Sequence, residues 1–418
     1  MDKLLVTGPS KLSGKVSISR AKNAYLPILA AVILSDKPIH LVNIPDLQDI
    51  KTMIKLLTML GVDVSVNGNV TTFNAKNLKS HEATYDLVKT MRASIFVLGP
   101  LLARLNKAKV SLPGGCAIGT RPIDIHLENL EKMGARIELE AGYVEAHVDQ
   151  FKPVHITLSF PSVGATENLM MAAVFTKGET IIENAALEPE IDDLANFLNA
   201  MGAKVSGIGT SKLHVHGVDS LNEVTYEAIG DRIEASTYLM AAIATNSEIE
   251  ITDVNPVHLD FVIETLKKMG AKIETTEKTI KVFKHEKLKG CNIDTAPFPG
   301  FPTDAQAQLL ALCCVIDAGS IVTENIFENR FMHVPELVRL GADIKLKGNT
   351  AFISGGRPMK SAPVMCTDLR ASAALIIAAL AASGETEIQR IYHLDRGYEK
   401  LEQKLIGLGA NVKRVKGN

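Results

Sequence analysis

The 418-residue chain is longer than one compact core usually supports, which predicts two domains of about 200 residues each. Its formal net charge of −2 does not indicate a nucleic-acid or membrane-surface partner, and its hydrophobic content of 46% is typical of a soluble globular protein. The five cysteines lack CxxC spacing, the N-terminus lacks a signal-peptide pattern, and no apolar run approaches the roughly 18 residues of a membrane span, so we expect a cytoplasmic protein without a disulfide framework.

A short phrase recurs six times along the chain: an aliphatic residue, Gly, usually Ala, one variable residue, and then Val or Ile. Its glycines are spaced by 73, 68, 68, 71 and 68 residues: Gly61, Gly134, Gly202, Gly270, Gly341 and Gly409. Each phrase follows an amphipathic helix, such as residues 263–269, so each glycine is predicted to end a helix before a strand begins. Six units of about 70 residues therefore account for nearly the whole chain.

Each unit also contains a second helix, rich in Ala and Leu and apolar on nearly all sides. These helices are predicted at residues 24–34, 93–104, 169–175, 236–245, 305–316 and 371–382. Because a helix that is apolar all round is buried, we expect two inside-out α/β domains, each of three similar units with buried helices and outer sheets. The alternative, ordinary core helices of a doubly wound α/β fold, is also compatible with the spacing.

Polar residues stand where these buried helices are predicted to begin. One series is spaced by 70 residues: Lys22, Arg92, Ser162 and Arg232. Cations are electrostatically disfavoured at helix N-termini, so the basic residues of this series indicate an anionic ligand. If the three units of each domain share a pseudo-threefold axis, that ligand would lie in the gap between the domains. The remaining polar residues can be explained as helix caps: Ser162, Thr166, Thr303 and Asp368.

The stretch SLPGGCAIGTRPIDIHL, residues 111–127, combines flexible and reactive residue types. Cys116 lies among glycines that allow a loop to bend tightly and to close over a reaction. Arg121 could lower the pKa of the Cys116 thiol and so make it a nucleophile or an acid. The alternative is a surface turn with an inert cysteine.

Two further phrases add cations: ENRFMHVPEL contains Arg330, and IYHLDRGYEKL contains Arg396. Surface ion pairing is the alternative role for either arginine. We expect His126, His333 and the segment 188–190 to be structural. His and Cys residues at metal-ligand spacing are absent from the sequence, so we expect neither a metal nor a cofactor.

With these motifs, the chain resembles the UDP-N-acetylglucosamine 1-carboxyvinyltransferases, the enolpyruvyl transferases of bacterial peptidoglycan synthesis. The resemblance runs from end to end and rests on Lys22-Asn23, PGGCAIGTRPID, SVGAT, FPTDAQAQ, ENRFMHVPEL, TDLRASA and IYHLDRGYEKL. It implies two inside-out domains with the active site in the cleft between them. Residues 1–21 and 230–418 would form one domain, and residues 22–229, with the Cys116 loop, the other.

The implied reaction transfers enolpyruvate from phosphoenolpyruvate to the 3′-hydroxyl of UDP-N-acetylglucosamine and releases phosphate by addition and elimination, as the first committed step of peptidoglycan precursor synthesis. By resemblance, Cys116 is the general acid and can hold phosphoenolpyruvate as an adduct, and Asp304 is the general base or orienter for the sugar hydroxyl. The positions matched to anion binding are Lys22, Arg121 and Arg396, with Arg330 and Arg370 assisting at the carboxylate.

The resemblance also implies contacts to the UDP-sugar. These are Asn23, Arg92, Arg121, Pro122, Ile123, Asp124, Ile125, Ser162, Val163, Gly164, Asp304 and Ile326. Phe160-Pro161 stands where some members have a basic residue near the diphosphate, which puts one charged contact in doubt. Asp368 either orients Arg121 or a neighbour, or caps a helix.

Three alternatives remain. The sibling 3-phosphoshikimate 1-carboxyvinyltransferases share the architecture and the donor, but the cysteine loop and ENRFMHVPEL favour the sugar-nucleotide enzymes. An idle paralogue that only binds the sugar nucleotide would be expected to have lost Cys116, Asp304 or Lys22, and all three are present. A nucleic-acid-binding repeat protein is disfavoured because the charge is near neutral and the basic residues are scattered over six units. The sequence leaves the oligomeric state open.

Overall fold

The computed structural model describes residues 2–85, 91–112 and 123–417, with Arg92 described by its backbone alone. These residues divide into two compact units, each with its own hydrophobic core. The first unit contains residues 2–19 and 230–417, and the second contains the described residues between 20 and 229. Arg20 and Ala21, which the resemblance assigns to the first of these, belong to the second, because the Ala21 N–H donates to the Ile229 carbonyl at 2.8 Å and Arg20 pairs with Glu227.

The strands of the described residues are short and lie along the whole chain. They are β1 Lys3–Gly8, β2 Ser13–Ser17, β3 Ile39–Val42, β4 Asp63–Asn67, β5 Val70–Asn74, β6 Glu82–Ala83, β7 Lys107–Ser111, β8 Arg136–Glu140, β9 Tyr143–His147, β10 His155–Thr157, β11 Glu179–Glu183, β12 Lys204–Ser206, β13 Lys212–His216, β14 Val224–Tyr226, β15 Glu248–Thr252, β16 Lys272–Thr275, β17 Thr279–Phe283, β18 Asn292–Asp294, β19 Ser320–Thr323, β20 Ile344–Lys347, β21 Thr350–Ile353, β22 Val364–Met365, β23 Gly384–Gln389 and β24 Asn411–Val415.

These strands form six four-stranded sheets with one repeated topology. The first unit has the orders β22-β23-β1-β24, β16-β17-β15-β2 and β18-β19-β21-β20, and the second has β14-β3-β5-β4, β6-β7-β9-β8 and β10-β11-β13-β12. Every sheet has one parallel pair at an edge and two antiparallel pairs, as in β15, which is parallel to β2 and antiparallel to β17. Because β1 and β2 pair with strands from beyond residue 230, both ends of the chain build the first unit.

The α-helices of the described residues alternate with these strands. They are α1 Lys22–Ala31, α2 Gln48–Leu60, α3 Leu98–Leu105, α4 Asp124–Lys132, α5 Val163–Ala173, α6 Pro189–Ala200, α7 Arg232–Ala244, α8 Asp260–Met269, α9 Thr303–Val315, α10 Val334–Arg339, α11 Leu369–Ala381 and α12 Leu401–Gly407. The helices α7, α9 and α11 pack against one another in the first unit, and α3 packs against α5 in the second. No helix of the described residues has the length and hydropathy needed to cross a lipid bilayer.

The prediction of buried helices behind sheets is confirmed. The helices α1, α5, α7, α9 and α11 are buried on nearly all sides, whereas strands such as β13 alternate buried and more exposed residues. All six repeated glycines have positive φ, from 91° at Gly409 to 107° at Gly270. At Gly270 this left-handed residue caps α8, with its N–H bonded to the Leu266 and Lys267 carbonyls, so the predicted helix stop is also confirmed.

The buried helices begin earlier than the apolar pattern predicts. Lys22 and Arg232 are the first residues of α1 and α7 and do not precede them, because the polar residues occupy the first turn itself. The second buried helix is split into a 3₁₀ segment at Arg92–Val97 and α3. Pro100 lies in the first turn of α3, where its missing N–H costs no helical hydrogen bond, and its ring disfavours an α-helical carbonyl four residues earlier, within the 3₁₀ segment.

Candidate functional site

Asp304 lies in the first turn of α9 and is held by two arginines of the first unit. Arg330 Nη2 donates to Oδ1 at 2.7 Å, and Arg370 Nη2 donates to Oδ2 at 2.8 Å. The arginine side chains are only 3% and 5% exposed, whereas that of Asp304 is 26% exposed. The carboxylate is therefore anchored from behind by charge-assisted hydrogen bonds and keeps a face open to solvent.

The arginine on α11 is held in its charged form. Burial alone disfavours the charge of Arg370 and lowers its pKa, but the adjacent Asp304 and Tyr398 outweigh burial, so the pKa lies above its usual value. The Tyr398 ring lies 5.7 Å from the guanidinium carbon, and its hydroxyl accepts from Nη1 at 3.4 Å. The same hydroxyl is within 2.8 Å of Thr237 Oγ1 and accepts from Gln308 at 3.2 Å. This network ties α7 and α9 to the site.

Asp368 caps α11. Its Oδ1 accepts from the backbone N–H groups of Arg370 at 2.9 Å and Ala371 at 3.0 Å. The cap thus fixes the helical turn that carries Arg370. The other hypothesis, that Asp368 orients Arg121, concerns a residue outside the described part of the chain.

The turn that carries Ile326 and Arg330 is fastened by Glu324, a residue that the sequence analysis missed. The Glu324 carboxylate is buried and accepts from the Ile326 N–H at 2.8 Å and from the Thr303 hydroxyl at 2.9 Å. Thr303 is therefore not an N-cap: it is the first residue of α9, and its hydroxyl bonds to Glu324. An acid directly after a β-branched strand is the signal that could have identified Glu324.

Two further residues named from the sequence also lie in the first unit. Arg396 ends the 3₁₀ helix Ile391–Arg396 and is half-buried. His333 is fully buried, and burial, with the charge of Arg330, lowers its pKa to about 4 while Asp368 opposes that effect. The imidazole is therefore neutral near neutral pH. The structural role expected for His333 stays a prediction.

In the second unit, Lys22 is buried in the first turn of α1 and its Nζ lies 3.2 Å from Oδ2 of Asp49. Asp49 is in the first turn of α2 and was not identified from the sequence. Asn23 follows at a half-buried position. Pro27 has no N–H, so the Asn23 carbonyl lacks the helical donor that would otherwise lie four residues later.

The Ser162–Gly164 turn lies at the start of α5. Ser162 is the N-cap, and its Oγ accepts from the Ala165 N–H at 3.3 Å. A Cβ atom at Gly164 would lie 3.1 Å from Cε1 of His126 and 3.3 Å from Cε1 of Phe96, so a larger residue would displace these rings. The turn, including half-buried Val163, is thereby packed closely against α4.

His126 connects three helices of the second unit. Burial lowers its pKa to about 4, and its Nδ1 accepts from Asn168 Nδ2 at 3.0 Å. Asn168 also accepts from the Gly99 N–H at 2.8 Å. Because Ile123 is the N-cap of α4 and Asp124 and Ile125 are its first residues, this network positions half-buried Ile123 and Ile125 and exposed Asp124 relative to α5. This buried network supports the structural role predicted for His126.

The structure brings some predicted site residues together and leaves others untested. Asp304, Arg330 and Arg370 meet directly, and α4 and the Ser162–Gly164 turn are packed together. Outside the described residues lie Cys116, Arg121, Pro122 and the Arg92 side chain. Within the part of the chain that the structure describes, no group of three or more His, Cys, Asp and Glu side chains is arranged to hold a metal ion.

Comparisons with known proteins match this chain over its whole length. The family model described as EPSP synthase (3-phosphoshikimate 1-carboxyvinyltransferase) matches residues 6–405. A protein of Geotalea uraniireducens (strain Rf4) named UDP-N-acetylglucosamine 1-carboxyvinyltransferase is 53% identical over 415 residues, which cover 99% of this chain and 100% of the relative. A protein of the same name from Pseudoalteromonas atlantica (strain T6c / ATCC BAA-1087) is 54% identical over 419 residues, with 100% of both chains covered.

Two solved structures extend the comparison. The enolpyruvyl transferase NikO from Streptomyces tendae has a TM-score of 0.89 at 25% identity, with 100% of this chain and 99% of that chain covered. The EPSP synthase of Acinetobacter baumannii has a TM-score of 0.77 at 17% identity, with 100% of both chains covered, and shows the shared fold alone.

Proposed function

The chain belongs to the EPSP synthase family of enolpyruvyl transferases, and we propose that it transfers enolpyruvate from phosphoenolpyruvate to the 3′-hydroxyl of UDP-N-acetylglucosamine, with release of phosphate. The observation that carries the proposal is that this chain is 53% identical, over almost its full length, to relatives named UDP-N-acetylglucosamine 1-carboxyvinyltransferase. The two substrates are the partners of the proposed reaction. The lack of CxxC spacing among the cysteines supports a reducing, cytoplasmic location.

Asp304 is proposed to orient the sugar hydroxyl or to accept its proton. Its two oxygens accept hydrogen bonds from two different arginines, and the side chain is 26% exposed, so an O–H donor can approach it from solvent. Because the carboxylate cannot rotate without breaking both arginine contacts, an attacking hydroxyl bound there would be held in one direction. This geometry supports the orienting role.

Arg330 and Arg370 are proposed to assist in binding the carboxylate of phosphoenolpyruvate. Each guanidinium has five N–H donors, and Asp304 uses one Nη2 group from each. Arg330 Nε is buried and has no hydrogen-bond partner among the described residues. A buried N–H without a partner costs free energy, which an anionic ligand would offset.

The remaining roles rest on the resemblance. We propose Lys22 and Arg396, with Arg121, as ligands of the phosphate or carboxylate of the donor, and Cys116 as the general acid. The UDP-sugar contacts are proposed at Asn23, Arg92, Arg121, Pro122, Ile123, Asp124, Ile125, Ser162, Val163, Gly164, Asp304 and Ile326. The rigid packing of Gly164 against His126 supports the turn as a preformed binding element.

Phosphate release with two acceptors tests the proposal. Protein and phosphoenolpyruvate are incubated with UDP-N-acetylglucosamine or with shikimate 3-phosphate, and we expect phosphate only with the first.

Cys116→Ser should lower turnover near neutral pH by roughly 10²-fold or more, because a hydroxyl is a much weaker acid than a thiol. Asp304→Asn should also lose most turnover, whereas Asp343→Asn, at an ion pair with exposed Arg357, should not.

Two results would contradict the proposal. Phosphate release with shikimate 3-phosphate would assign the sibling activity. Absence of release with either acceptor, together with no mass increase of the intact protein after incubation with phosphoenolpyruvate, would favour a protein that only binds the sugar nucleotide.

A further inference from the structure

Two cysteines that the proposed reaction does not use lie side by side in the first unit. Cys291 directly precedes β18, and Cys313 lies near the C-terminal end of α9. Their sulfur atoms are 3.7 Å apart although 22 positions separate them in the chain. A disulfide has an S–S distance of about 2.05 Å, so a relative movement of about 1.7 Å would bring the sulfurs to bonding distance.

The two thiols differ in access and in acidity. Cys313 is fully buried, whereas Cys291 is half-buried. A hydrogen bond from Cys313, assisted by the Ser320 hydroxyl, lowers the pKa of the Cys291 thiol despite the opposing effect of burial. The same hydrogen bond, together with burial, raises the pKa of Cys313 well above its usual value. The more accessible thiol is therefore also the one that more readily forms a thiolate.

The neighbouring backbone holds this arrangement in place. The Cys291 N–H donates to Ser320 Oγ at 3.1 Å, and the Cys291 carbonyl accepts from the Ile321 N–H at 2.8 Å. Both bonds fasten the residue to the start of β19, so Cys291 faces Cys313 from a fixed support. The backbone therefore holds the two thiols next to each other before any reaction.

We propose that Cys291 and Cys313 form a peroxide-responsive disulfide site. The Cys291 thiolate attacks a hydrogen peroxide oxygen: an S–O bond forms, the O–O bond breaks, and the departing hydroxide leaves as water after taking a proton, so that sulfur is oxidised to a sulfenic acid. The Cys313 sulfur then attacks that sulfur, the S–O bond breaks, and the hydroxide leaves as water with the Cys313 proton. Overall, two thiols and one hydrogen peroxide give one disulfide and two waters.

The two other described cysteines are poorly suited to either role. Burial raises the pKa of Cys314 to about 12, and adjacent residues of an α-helix point in directions about 100° apart, so Cys314 does not share the direction of Cys313. Burial also raises the pKa of Cys366 to about 12, with a smaller opposing effect from Ser372. They serve as internal controls for a selective reaction.

The bond would enclose the segment from 291 to 313, which contains Asp304. It would attach α9 covalently to the residue that directly precedes β18. A cross-link that closes such a segment restricts the unfolded chain, so we expect the oxidised protein to have a higher Tm than the reduced protein. The site is independent of the proposed function, because neither sulfur has a role in it.

Peptide mapping of the full-length protein tests the site. Trypsin followed by Asp-N protease releases Cys291 in residues 290–293 and Cys313 in residues 304–316. After treatment with hydrogen peroxide and alkylation of free thiols, we expect these two peptides to be linked, with a mass two hydrogen atoms below the sum of the two peptides when Cys314 carries the alkyl group. Dithiothreitol should separate them. The absence of the linked pair under conditions that oxidise other thiols of the protein would overturn the proposal.

Variants then assign the partners. Cys314→Ser should retain the linked pair, whereas Cys313→Ser should lose it and leave a sulfenic acid at Cys291 that dimedone traps. Ser320→Ala should slow the reaction of Cys291 at neutral pH, because the hydroxyl that assists the thiolate is removed. Retention of the link in Cys313→Ser, or its loss in Cys314→Ser, would identify Cys314 as the partner and overturn the assignment. The wild-type mapping stands even if a variant fails to fold.

Discussion

At the scale of single residues, Glu167 is a carboxyl group that the fold buries without compensation. It lies on α5 of the second unit, is 1% exposed, and neither of its oxygens has a hydrogen-bond partner among the described residues. Burial, followed by the charges of Glu190 and Glu188, raises its pKa well above the usual value. The side chain is therefore protonated in the folded protein over a pH range in which the unfolded chain would release the proton.

This burial predicts the pH dependence of a Glu167→Gln variant. Above the unfolded pKa of about 4.5, the folded state binds a proton at Glu167 that the unfolded state has released. This group therefore lowers the stability of the wild type as pH rises. The slope is about 1.4 kcal/mol per pH unit until the raised pKa of the folded state is reached. The neutral amide removes that dependence. We therefore expect the free energy of unfolding of Glu167→Gln, measured with urea, to rise relative to that of the wild type between pH 5 and pH 7.

The matched control is Glu138→Gln, at an exposed position of β8. Its difference in stability from the wild type should stay nearly constant over the same pH range. A constant difference for Glu167→Gln as well would contradict the uncompensated burial of this carboxyl group.

At the scale of elements, the N-terminal turns of the buried helices position the polar groups. In α11 the Asp368 cap fixes the turn that carries Arg370, and in α7 the Asp231 cap accepts from the Ile233 and Glu234 N–H groups. The apolar remainder of each helix packs in the core. A change in a cap is therefore expected to alter the position of the adjacent cation more than the packing of the helix.

Substitution of Asp368 separates capping from a direct role in the site. Asp368→Ala removes both cap hydrogen bonds and should cost about 1 kcal/mol of stability. Asp368→Asn keeps a capping oxygen and should retain nearly all stability and most turnover, because Asn is as good a cap as Asp. Urea unfolding and phosphate release measure the two effects. A stable Asp368→Asn protein with turnover reduced tenfold or more would show that the charge, not the cap, matters.

At the scale of the whole molecule, the two units share one sheet topology but contain different sets of polar residues. The first unit holds the Asp304, Arg330 and Arg370 cluster, and the second holds Lys22 and the Ser162–Gly164 turn. The six sheets repeat one strand pairing, whereas the residues at the helix starts differ from unit to unit. Equivalent positions of the repeated fold therefore carry different side chains in different repeats.

Ligand stabilisation tests recognition at this scale without depending on turnover. UDP-N-acetylglucosamine at about 100 times its Kd should stabilise the folded protein by about 2.7 kcal/mol, which corresponds to a rise in Tm of roughly 3 °C for a chain of 418 residues. Shikimate 3-phosphate at the same concentration should produce no rise. A thermal-shift assay measures both, and the reverse order of the two ligands would contradict the proposed acceptor.

The sequence by itself determined the repeated unit, the buried helices and the helix stops. Hydrophobic periodicity and a glycine in left-handed conformation are local properties, written within a few consecutive residues such as those around Gly270. Capping by Ser162 and Asp368 was predictable for the same reason. The resemblance added the proposed chemistry, since motifs such as PGGCAIGTRPID are contiguous.

The tertiary structure alone decided which groups meet. Arg330 and Arg370 reach Asp304 across 26 and 66 positions of the chain, Cys313 faces Cys291, and Glu167 is left without a partner. Partners of this kind depend on how separate helices and strands pack, and a pattern read along one segment contains no information about the segment packed against it. Local periodicity therefore specifies the elements, whereas non-local packing sets the charge, burial and reactivity of the side chains they carry.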